Sequence, residues 1–350
     1  MSTAKKFLTE ISADELAAWL REKGEPAFRA RQIREWIFQK LVFSPDGMKN
    51  LPAKLRQALA EDFFFPSCSV AERAASGRDG VVKLRLALHD GESVEIVVIP
   101  SADRVTLCLS TQVGCPVGCR FCASGANGLV RNLRAGEMLE EFLAGCAEAG
   151  RKCDNIVFMG IGEGLLNFGE LAKVLDTLTS PEGFSMSPRR ITVSTSGYVP
   201  GIGKLAELGK EFTLAVSLHA PDDATREKII PDKLRYPIAE ILEAADLYRD
   251  RSGRLCTLEY TLLAGINDSP EQAEALGRLA LRHRAKINLI PYNETGTSFR
   301  RPRRDVIEEF EKTVAATGAA VTRRVERGAR STAACGQLRA RAEQDRKKEF

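Results

Sequence analysis

The stretch GCPVGCRFC, from Gly114 to Cys122, decides how the rest of the chain is interpreted. It places Cys115, Cys119 and Cys122 at C-x3-C-x2-C spacing, just after a strand-like apolar run. Iron–sulfur cubanes are held by cysteine thiolates, normally four of them. Because no obvious fourth cysteine lies nearby, one iron would stay open to another ligand. Two glycines within the stretch would let a short loop wrap a cluster without Cβ clashes.

Three other interpretations of these cysteines are open on spacing alone: a zinc site, a disulfide framework or inert buried thiols. Zinc ribbons require two C-x2-C pairs or added histidines, and the nearest histidine is distant in sequence. The spacing therefore favours an iron–sulfur cluster, and the choice between the cluster and these alternatives depends on the rest of the chain.

Length and composition predict a soluble protein with a large core. The chain has 350 residues and 44% hydrophobic content, enough for one sizeable domain and an accessory one. No signal peptide and no long apolar run is evident, which predicts a cytoplasmic protein without a membrane span. Nine cysteines, an odd number, favour metal or redox chemistry over a set of structural disulfides in such a chain.

Basic residues crowd between Arg300 and Arg330, although the net charge of the chain is only +4. Such patches are typical of surfaces that bind a phosphate backbone. A solvated helix face with interleaved glutamates explains the same pattern at least as well.

The N-terminal region, from Asp14 to about Phe65, has the apolar periodicity and capping residues of a small all-helical module. Its large aromatic residues are more typical of a core than of nucleic-acid stacking. Trp19, Phe28 and Trp36 are therefore predicted to be core residues.

A hairpin is predicted next, because the runs Val81–Leu88 and Val94–Ile99 flank Asp90-Gly91. Within the second run, Glu95 is a lone carboxylate on an apolar strand. The pattern alone predicts an edge residue that points to water.

From residue 105 onward the predicted strands and helices alternate, which implies a parallel sheet with right-handed crossovers. Six such units without a dinucleotide-binding fingerprint indicate an α/β fold with an open or partial barrel. The predicted strands are Val105–Ser110, Asn155–Gly160, Arg190–Thr195, Phe212–Leu218, Leu255–Leu262 and Lys286–Ile290. The predicted helices between and after them are Glu137–Ala149, Leu171–Leu178, Ile238–Tyr248, Glu271–His283 and Asp305–Thr317.

Polar groups recur at the carboxyl ends of these strands, where barrels of this type carry their chemistry. Glycine, hydroxyl, carboxylate, imidazole and carboxamide groups all occur there, as a pocket for a polar small molecule needs. Each alone could be turn or cap chemistry, so the prediction depends on their recurrence. The strand ends are Gly160–Glu163, Ser194–Gly197, Ser217–His219 and Pro291–Asn293.

With these residues in place, the chain resembles the radical S-adenosylmethionine (SAM) superfamily, in which three such cysteines hold a [4Fe-4S] cluster whose open iron binds SAM. Within it, the chain resembles the RNA adenine-C2 methyltransferases and their adenine-C8 relatives, from about Phe28 to Leu338. The segments that carry this resemblance are Thr106–Cys115, Phe158–Glu163, Val193–Gly197, Ser217–Pro221, Ile287–Asn293 and Ala333–Leu338.

The resemblance implies a fold and its parts. The fold would be α/β, a partial (β/α)6 TIM-like radical SAM barrel with a small N-terminal helical domain and a β-hairpin extension. Residues 1–72 would form the helical accessory domain that binds RNA, and residues 73–100 the hairpin extension. Residues 101–330 would form the core barrel, and residues 331–350 a C-terminal segment.

The resemblance also implies roles for individual residues. Cys335 would carry a methyl group, and Cys108 would form a transient disulfide with it. Glu95 would be the proton acceptor, which reverses the water-facing prediction because a desolvated carboxylate suits general-base work. The cluster ligands would be Cys115, Cys119 and Cys122, and the SAM contacts would be Gly162, Glu163, Ser194, Ser217, Leu218, His219 and Asn293.

The implied chemistry needs these residue types, because an adenine C2 or C8 carbon is not nucleophilic and cannot take a methyl group from SAM directly. In the family, one SAM methylates the cysteine at position 335. A second SAM, cleaved at the cluster, gives a 5′-deoxyadenosyl radical that takes hydrogen from that methyl group, and the methylene radical adds to the ring. Glu95 then removes the ring proton, and Cys108 attacks Cys335 to release the product. Two cysteines distant in sequence but close in the fold are what this resolution requires.

The implied substrate is an adenine of rRNA, tRNA or both, methylated at C2. Methylation at C8 or of another RNA base is the alternative enzyme, and an RNA-binding protein with a relic cluster is the alternative of another class. RNA would contact the helical module and the basic patch Arg300–Arg304. A flavodoxin or ferredoxin would supply electrons, and the protein would be a monomer with no membrane partner.

Two departures from the family's pattern bear on the exact target. Gly164 stands where the C2 enzymes usually have proline, which loosens the SAM loop. Ala329 and Arg330 stand where acidic residues usually precede the carrier cysteine.

Overall fold

The computed structural model describes residues 5–77, 79–324, 334 and 336–338, and a ten-stranded sheet runs through them. The strands are β1 (Lys6–Phe7), β2 (Phe63–Phe64), β3 (Cys68–Ala75), β4 (Val82–Leu88), β5 (Ser93–Ser101), β6 (Arg104–Cys108), β7 (Gln112–Gly114), β8 (Leu129–Asn132), β9 (Asn155–Phe158), β10 (Ile191–Thr195), β11 (Thr213–Ser217), β12 (Thr257–Leu262), β13 (Lys286–Pro291) and β14 (Val321–Arg323). The helices are α1 (Ala13–Glu22), α2 (Phe28–Phe38), α3 (Ala53–Asp62), α4 (Ala135–Ala149), α5 (Phe168–Thr179), α6 (Val199–Glu207), α7 (Asp223–Ile229), α8 (Ile238–Ser252), α9 (Pro270–Arg282) and α10 (Arg304–Ala316).

The large sheet has the strand order β14-β13-β12-β11-β10-β9-β6-β5-β4-β3. Strands β6 and β9 to β14 pair in parallel, whereas β3, β4 and β5 are added antiparallel beside β6. The order is linear, so the described strands form an open sheet rather than a closed barrel. This arrangement confirms the predicted α/β fold with a partial radical SAM barrel.

Continuous apolar runs in the strands, together with helix crossovers, explain the packing of this sheet. Strands buried on both faces are typical of parallel α/β sheets, and β11 is buried at its three central residues. Helices α4, α5 and α8 pack their apolar stripes on the sheet through residues such as Phe142, Leu171 and Ile241, all fully buried. The carboxyl ends of the parallel strands consequently meet at one edge, where the cysteine loop also lies.

The N-terminal helices form as predicted and join the same core. Helix α1 begins with a capping box, in which Ser12 and Glu15 bond each other's backbone N–H groups. Leu16 of α1 and Ile33 of α2 belong to the main buried cluster. Phe28 contradicts the sequence prediction: its side chain is 53% exposed at the start of α2, where it contacts the Arg29 guanidinium rather than the core.

The extension beside the barrel has three strands instead of the predicted two. Strands β4 and β5 form the expected hairpin, and β3 pairs with the outer side of β4. The prediction missed β3 because most of its residues are exposed and its sequence shows no apolar alternation. The division into domains at residues 72, 100 and 330 stays a prediction. In the described part of the chain, no helix has the length and apolar character needed to cross a bilayer.

Candidate active site

Two adjoining cavities open at the carboxyl ends of the parallel strands. We call the cavity lined by Cys119 and Glu163 the inner cavity and the one lined by Cys108 the outer cavity; their volumes are about 150 Å³ and about 320 Å³. Cys122, Gly160 and Asn293 line both. The inner cavity brings together most of the residues predicted from the sequence. They are Cys115, Cys119, Cys122, Gly162, Glu163, Ser194, Ser217, His219 and Asn293.

The three cysteines of the loop lie half-buried beside a small apolar cluster that contains Val117 and Phe121. Burial raises the pKa of the Cys115 thiol to about 12. Burial, together with the charges of the two other cysteines, raises the pKa of Cys119 well above its usual value. Thiols in this setting become thiolates only when a cation offsets their charge.

The chemistry of this donor set fits an iron–sulfur cluster. No three Cys, His, Asp or Glu side chains among the described residues are placed to hold a single metal ion. A cubane is larger than one ion and is held by thiolates spread around it. The loop supplies three such thiols facing one cavity, with left-handed backbone at Gly118 (φ 68°) where the chain turns around them.

Glu163 is the buried carboxylate of the site. It is 3% exposed, and its oxygens accept hydrogen bonds from the backbone N–H of Ser196 at 2.6 Å and of Leu165 at 3.3 Å. Burial raises its pKa. Gly162 before it has a φ of 114°, and a Cβ there would lie 2.7 Å from Gln112 Cβ. This position therefore needs glycine, which lets the loop carry Glu163 into the cavity.

His219 is fully enclosed and neutral. Burial, with a further contribution from Arg226, lowers its pKa to about 3. Its Nδ1 accepts a hydrogen bond from the backbone N–H of Thr261 at 3.0 Å, and its ring packs edge-on against Phe121 at 5.0 Å between centroids. His219 thus connects the end of β11 to β12 and to the cysteine loop.

Leu218 is the one described SAM-contact prediction whose side chain is placed elsewhere. It is fully buried in the main core and does not line either cavity. Only its backbone is directed to the site region, where its carbonyl oxygen accepts a hydrogen bond from Arg226 Nε at 3.2 Å.

Charged residues of the site that the sequence analysis did not assign include Arg226, Glu259 and Arg324, of which Arg324 lines both cavities. Arg226 on α7 is fully buried and also donates to the carbonyl oxygen of Ser196, which joins two strand-end loops. Glu259 on β12 lines the inner cavity and accepts a hydrogen bond from Asn288 Nδ2 at 2.7 Å. Glu259 alternates with Thr261 on one face of β12, so a search for polar residues at period two within barrel strands could have found it.

Cys108 faces the outer cavity at the end of β6. Its side chain packs with Val97, Ile161 and Leu338 in a buried cluster separate from the main core. Cys335 lies outside the described residues. Its neighbours Ala334 and Gly336 line the same cavity as Cys108.

Two hydrogen bonds attach this C-terminal segment to the loop that follows the cysteine motif. The N–H of Ala123 donates to the carbonyl oxygen of Gly336 at 2.8 Å. The Ser124 hydroxyl donates to the carbonyl oxygen of Leu338 at 2.8 Å. The chain that follows position 335 is therefore held at the mouth of the site.

Glu95 contradicts the prediction made from the strand pattern alone. It is 2% exposed and does not point to water. Its Oε1 lies 2.9 Å from Nζ of Lys83, a buried lysine that sequence reasoning did not single out. The pairing of β4 with β5 creates this contact, and the sequence pattern of one strand cannot reveal it.

Comparisons with known proteins agree with this arrangement. Residues 109–276 match the model of the radical SAM superfamily. Residues 7–64 match the N-terminal domain of ribosomal RNA large subunit methyltransferases. The chain is 42% identical over 349 residues to a probable dual-specificity RNA methyltransferase RlmN of Akkermansia muciniphila, and the alignment covers 97% of each chain.

The chain belongs to the RlmN family. A second RlmN relative, from Opitutus terrae, is 43% identical, and the alignment covers 98% of this chain and 96% of the relative. The crystal structure of a radical SAM methyltransferase from Sphaerobacter thermophilus superimposes with a TM-score of 0.90 at 42% identity, covering 97% of this chain and all of that one. Membership of the RlmN family confirms the resemblance seen in the sequence, and the radical SAM superfamily uses a [4Fe-4S] cluster and SAM.

Proposed function

We propose that this RlmN-family enzyme methylates the C2 carbon of an adenine in rRNA, tRNA or both. The observation that supports it best is the wall of the outer cavity. Cys108, the cluster cysteine Cys122 and the residues on either side of Cys335 all line this cavity. A cavity that joins a radical-forming site to a cysteine pair is what methylation through a covalent RNA intermediate requires.

We assign the inner cavity to the cofactors. Cys115, Cys119 and Cys122 would hold the [4Fe-4S] cluster through thiolates. When bound, the cluster and SAM supply an electron, a carbon radical and the methyl group. Glu163 would accept hydrogen bonds from the cationic amino group of SAM, since a buried carboxylate binds such a group strongly. Gly162, Ser194, Ser217, Leu218, His219 and Asn293 would complete the SAM contacts, Leu218 through its backbone.

We assign the outer cavity to the RNA adenine and the two cysteines. The Cys335 thiolate would attack the methyl carbon of SAM, forming its own S–C bond as that of SAM breaks. After the carbon is joined to the ring, Glu95 would take the ring proton. Glu95 lines neither cavity, but it lies on the same face of the sheet as Cys108, two residues before Val97, which pairs with Cys108. The Cys108 thiolate would then attack the sulfur of Cys335, so that a disulfide forms and the S–C bond to the RNA breaks with its electron pair going to the methylene carbon. That carbon would take a proton to become the methyl group, and the unpaired electron left on the ring would pass to the oxidised cluster. Reduction of the disulfide would restore both thiols.

We further propose how the enzyme meets its partners. An adenine must leave its stack to reach a cavity at the strand ends, so RNA would be held by helices α1 to α3 and by the patch Arg300–Arg304. Arg303 and Arg304 at the start of α10 are exposed and available to phosphates, although each also pairs with a nearby carboxylate. The protein would work as a cytoplasmic monomer, and a flavodoxin or ferredoxin would provide single electrons.

The test is mass spectrometry of nucleosides from RNA treated with the anaerobically reconstituted protein and SAM. Accumulation of 2-methyladenosine supports the proposal, and 8-methyladenosine would replace C2 by C8 as the target. If SAM is not consumed and Cys335 gains no methyl group, the enzyme assignment is wrong for this chain, and RNA binding with a relic cluster becomes the better explanation.

A further inference from the structure

Lys83 on β4 and Glu95 on β5 form an ion pair inside the protein. Lys83 Nζ lies 2.9 Å from Glu95 Oε1, and the two side chains are 7% and 3% exposed. Removing charges from water is costly, and an apolar pair of similar volume often packs at least as well. Stability therefore does not explain why a lysine occupies this position, and the pair points to a use for its charges.

The register of the sheet puts this pair on the face that carries Cys108. Residues paired across antiparallel strands share a face. Lys83 pairs with Val97, which in turn pairs with Cys108. Glu95 precedes Val97 by two residues on β5 and so points to the same side. Val97 and Cys108 pack with Leu338 apart from the main core. The ion pair therefore lies beside this cysteine site, on the same face of the sheet and next to Val97.

The backbone of Glu95 is fixed from the opposite side. The Ser110 hydroxyl donates to the carbonyl oxygen of Glu95 at 2.8 Å. The same hydroxyl oxygen accepts a hydrogen bond from the Ile161 N–H at 2.9 Å. Ser110 thus anchors the main chain of Glu95 to the β6 and β9 side of the site, while Lys83 holds the carboxylate from β4.

We propose that Lys83 is the positioning residue of Glu95: its ammonium holds the carboxylate in the orientation that takes the proton from the target carbon of adenine. The inference rests on the proposed function, in which Glu95 is the proton acceptor. In that step the C–H bond breaks, its electron pair stays with the ring, and the proton binds a Glu95 oxygen.

The test follows single turnovers of the holoenzyme with RNA. Denaturing gels report the covalent protein–RNA species, and mass spectrometry reports the methyl group on Cys335 and the released nucleoside. Lys83→Met and Glu95→Gln are both expected to gain the Cys335 methyl group at the wild-type rate. Both are expected to release product at least about tenfold more slowly and to accumulate the covalent species, because general-base catalysis contributes on the order of 10²–10⁴-fold.

A double variant separates positioning from independent action. Lys83→Met combined with Glu95→Gln is expected to be no slower than Glu95→Gln alone, because a positioning residue acts only through the base. Rate losses that multiply in the double variant would overturn the proposal.

The proposed function and this inference fail in different ways. Wild-type product release by Glu95→Gln would remove Glu95 from the role of proton acceptor. Slow release by Glu95→Gln together with wild-type release by Lys83→Met would overturn only the role of Lys83.

Arg73→Met provides the matched control. Arg73 on β3 also forms an ion pair of the three-stranded extension, with Glu148 at 2.9 Å, but its side chain is 54% exposed. Its loss is expected to leave product release unchanged. If Lys83→Met does not fold, Lys83→Arg and Lys83→Gln replace it. Arginine keeps the charge, so Lys83→Arg is expected to release product faster than Lys83→Gln, and equal rates would contradict the proposal.

Discussion

Cys108 on β6 and Leu338 in the C-terminal segment pack in one small buried cluster, although most of the chain separates them in sequence. This contact, with the hydrogen bonds from Ala123 and Ser124 to Gly336 and Leu338, holds the segment that follows position 335 beside the end of β6. A cysteine pair that must exchange partners during turnover needs such an approach. The chemistry proposed for Cys108 and Cys335 depends on this contact.

Glu163→Gln is expected to weaken the binding of SAM about ten- to a hundredfold. The neutral amide loses a hydrogen bond to a charged group, which contributes about 1.5–3 kcal/mol. Equilibrium dialysis of the reconstituted protein with SAM would measure the change. Glu170→Gln is the control, because Glu170 on α5 pairs with Lys173 at the surface and lines neither cavity. Equal affinities of the two variants would remove Glu163 from the SAM site.

Gly162→Ala is expected to destabilise the fold by about 1–3 kcal/mol and to abolish SAM binding. Its left-handed φ of 114° and the 2.7 Å approach to Gln112 and Thr111 leave no room for a Cβ. Gly164→Ala is the matched variant, since its Cβ would approach Thr111 Cγ2 only to 3.3 Å and its backbone is not left-handed. Thermal unfolding and SAM binding of both would be compared, and a Gly162→Ala protein as stable as Gly164→Ala would contradict the steric argument.

Glu140→Gln is expected to flatten the pH dependence of stability. Burial raises the pKa of Glu140 on α4 to about 8, against an ordinary value of 4.5. The folded state keeps a proton that the unfolded state releases, so the free energy of unfolding falls as the pH rises from about 4.5 to 8. Glutamine removes this contribution, which amounts to at most about 1.4 kcal/mol per pH unit.

Urea unfolding of wild type and Glu140→Gln at several pH values within this window would measure the effect. Glu148→Gln, on the same helix but paired with Arg73 near the surface, is expected to follow the wild type. A stability difference between wild type and Glu140→Gln that does not change with pH would show that Glu140 ionises normally in the fold.

Much of the barrel could be predicted from the sequence. The six predicted strands from residue 105 onward agree with β6 and β9 to β13 within two residues at either end. Parallel strands read as apolar runs, and their carboxyl ends carry the polar groups of the site. Local patterns alone singled out the three loop cysteines, Glu163 and His219, and the structure gathers them around one cavity. Their roles stay predictions.

The features that the sequence could not reveal depend on contacts with residues distant in the chain. Strand β14 is three residues long and mostly exposed, so it becomes a strand only through pairing with β13. The strand pattern predicted that Glu95 faces water, because its ion-pair partner Lys83 comes close only when β4 pairs with β5. Phe28 looked like a core residue by its type, yet the start of α2 leaves it exposed. Burial of a single residue is decided by packing, which periodicity does not describe.

The most direct test is the fate of Cys108→Ala after turnover with RNA and SAM. Because Cys108 is proposed to free the product by attacking Cys335, the variant is predicted to retain RNA covalently, with the adduct on the peptide that contains Cys335. Cys256→Ala, which removes another buried thiol, is predicted to release methylated RNA like the wild type. Release of methylated adenosine by Cys108→Ala without any protein–RNA crosslink would contradict the account.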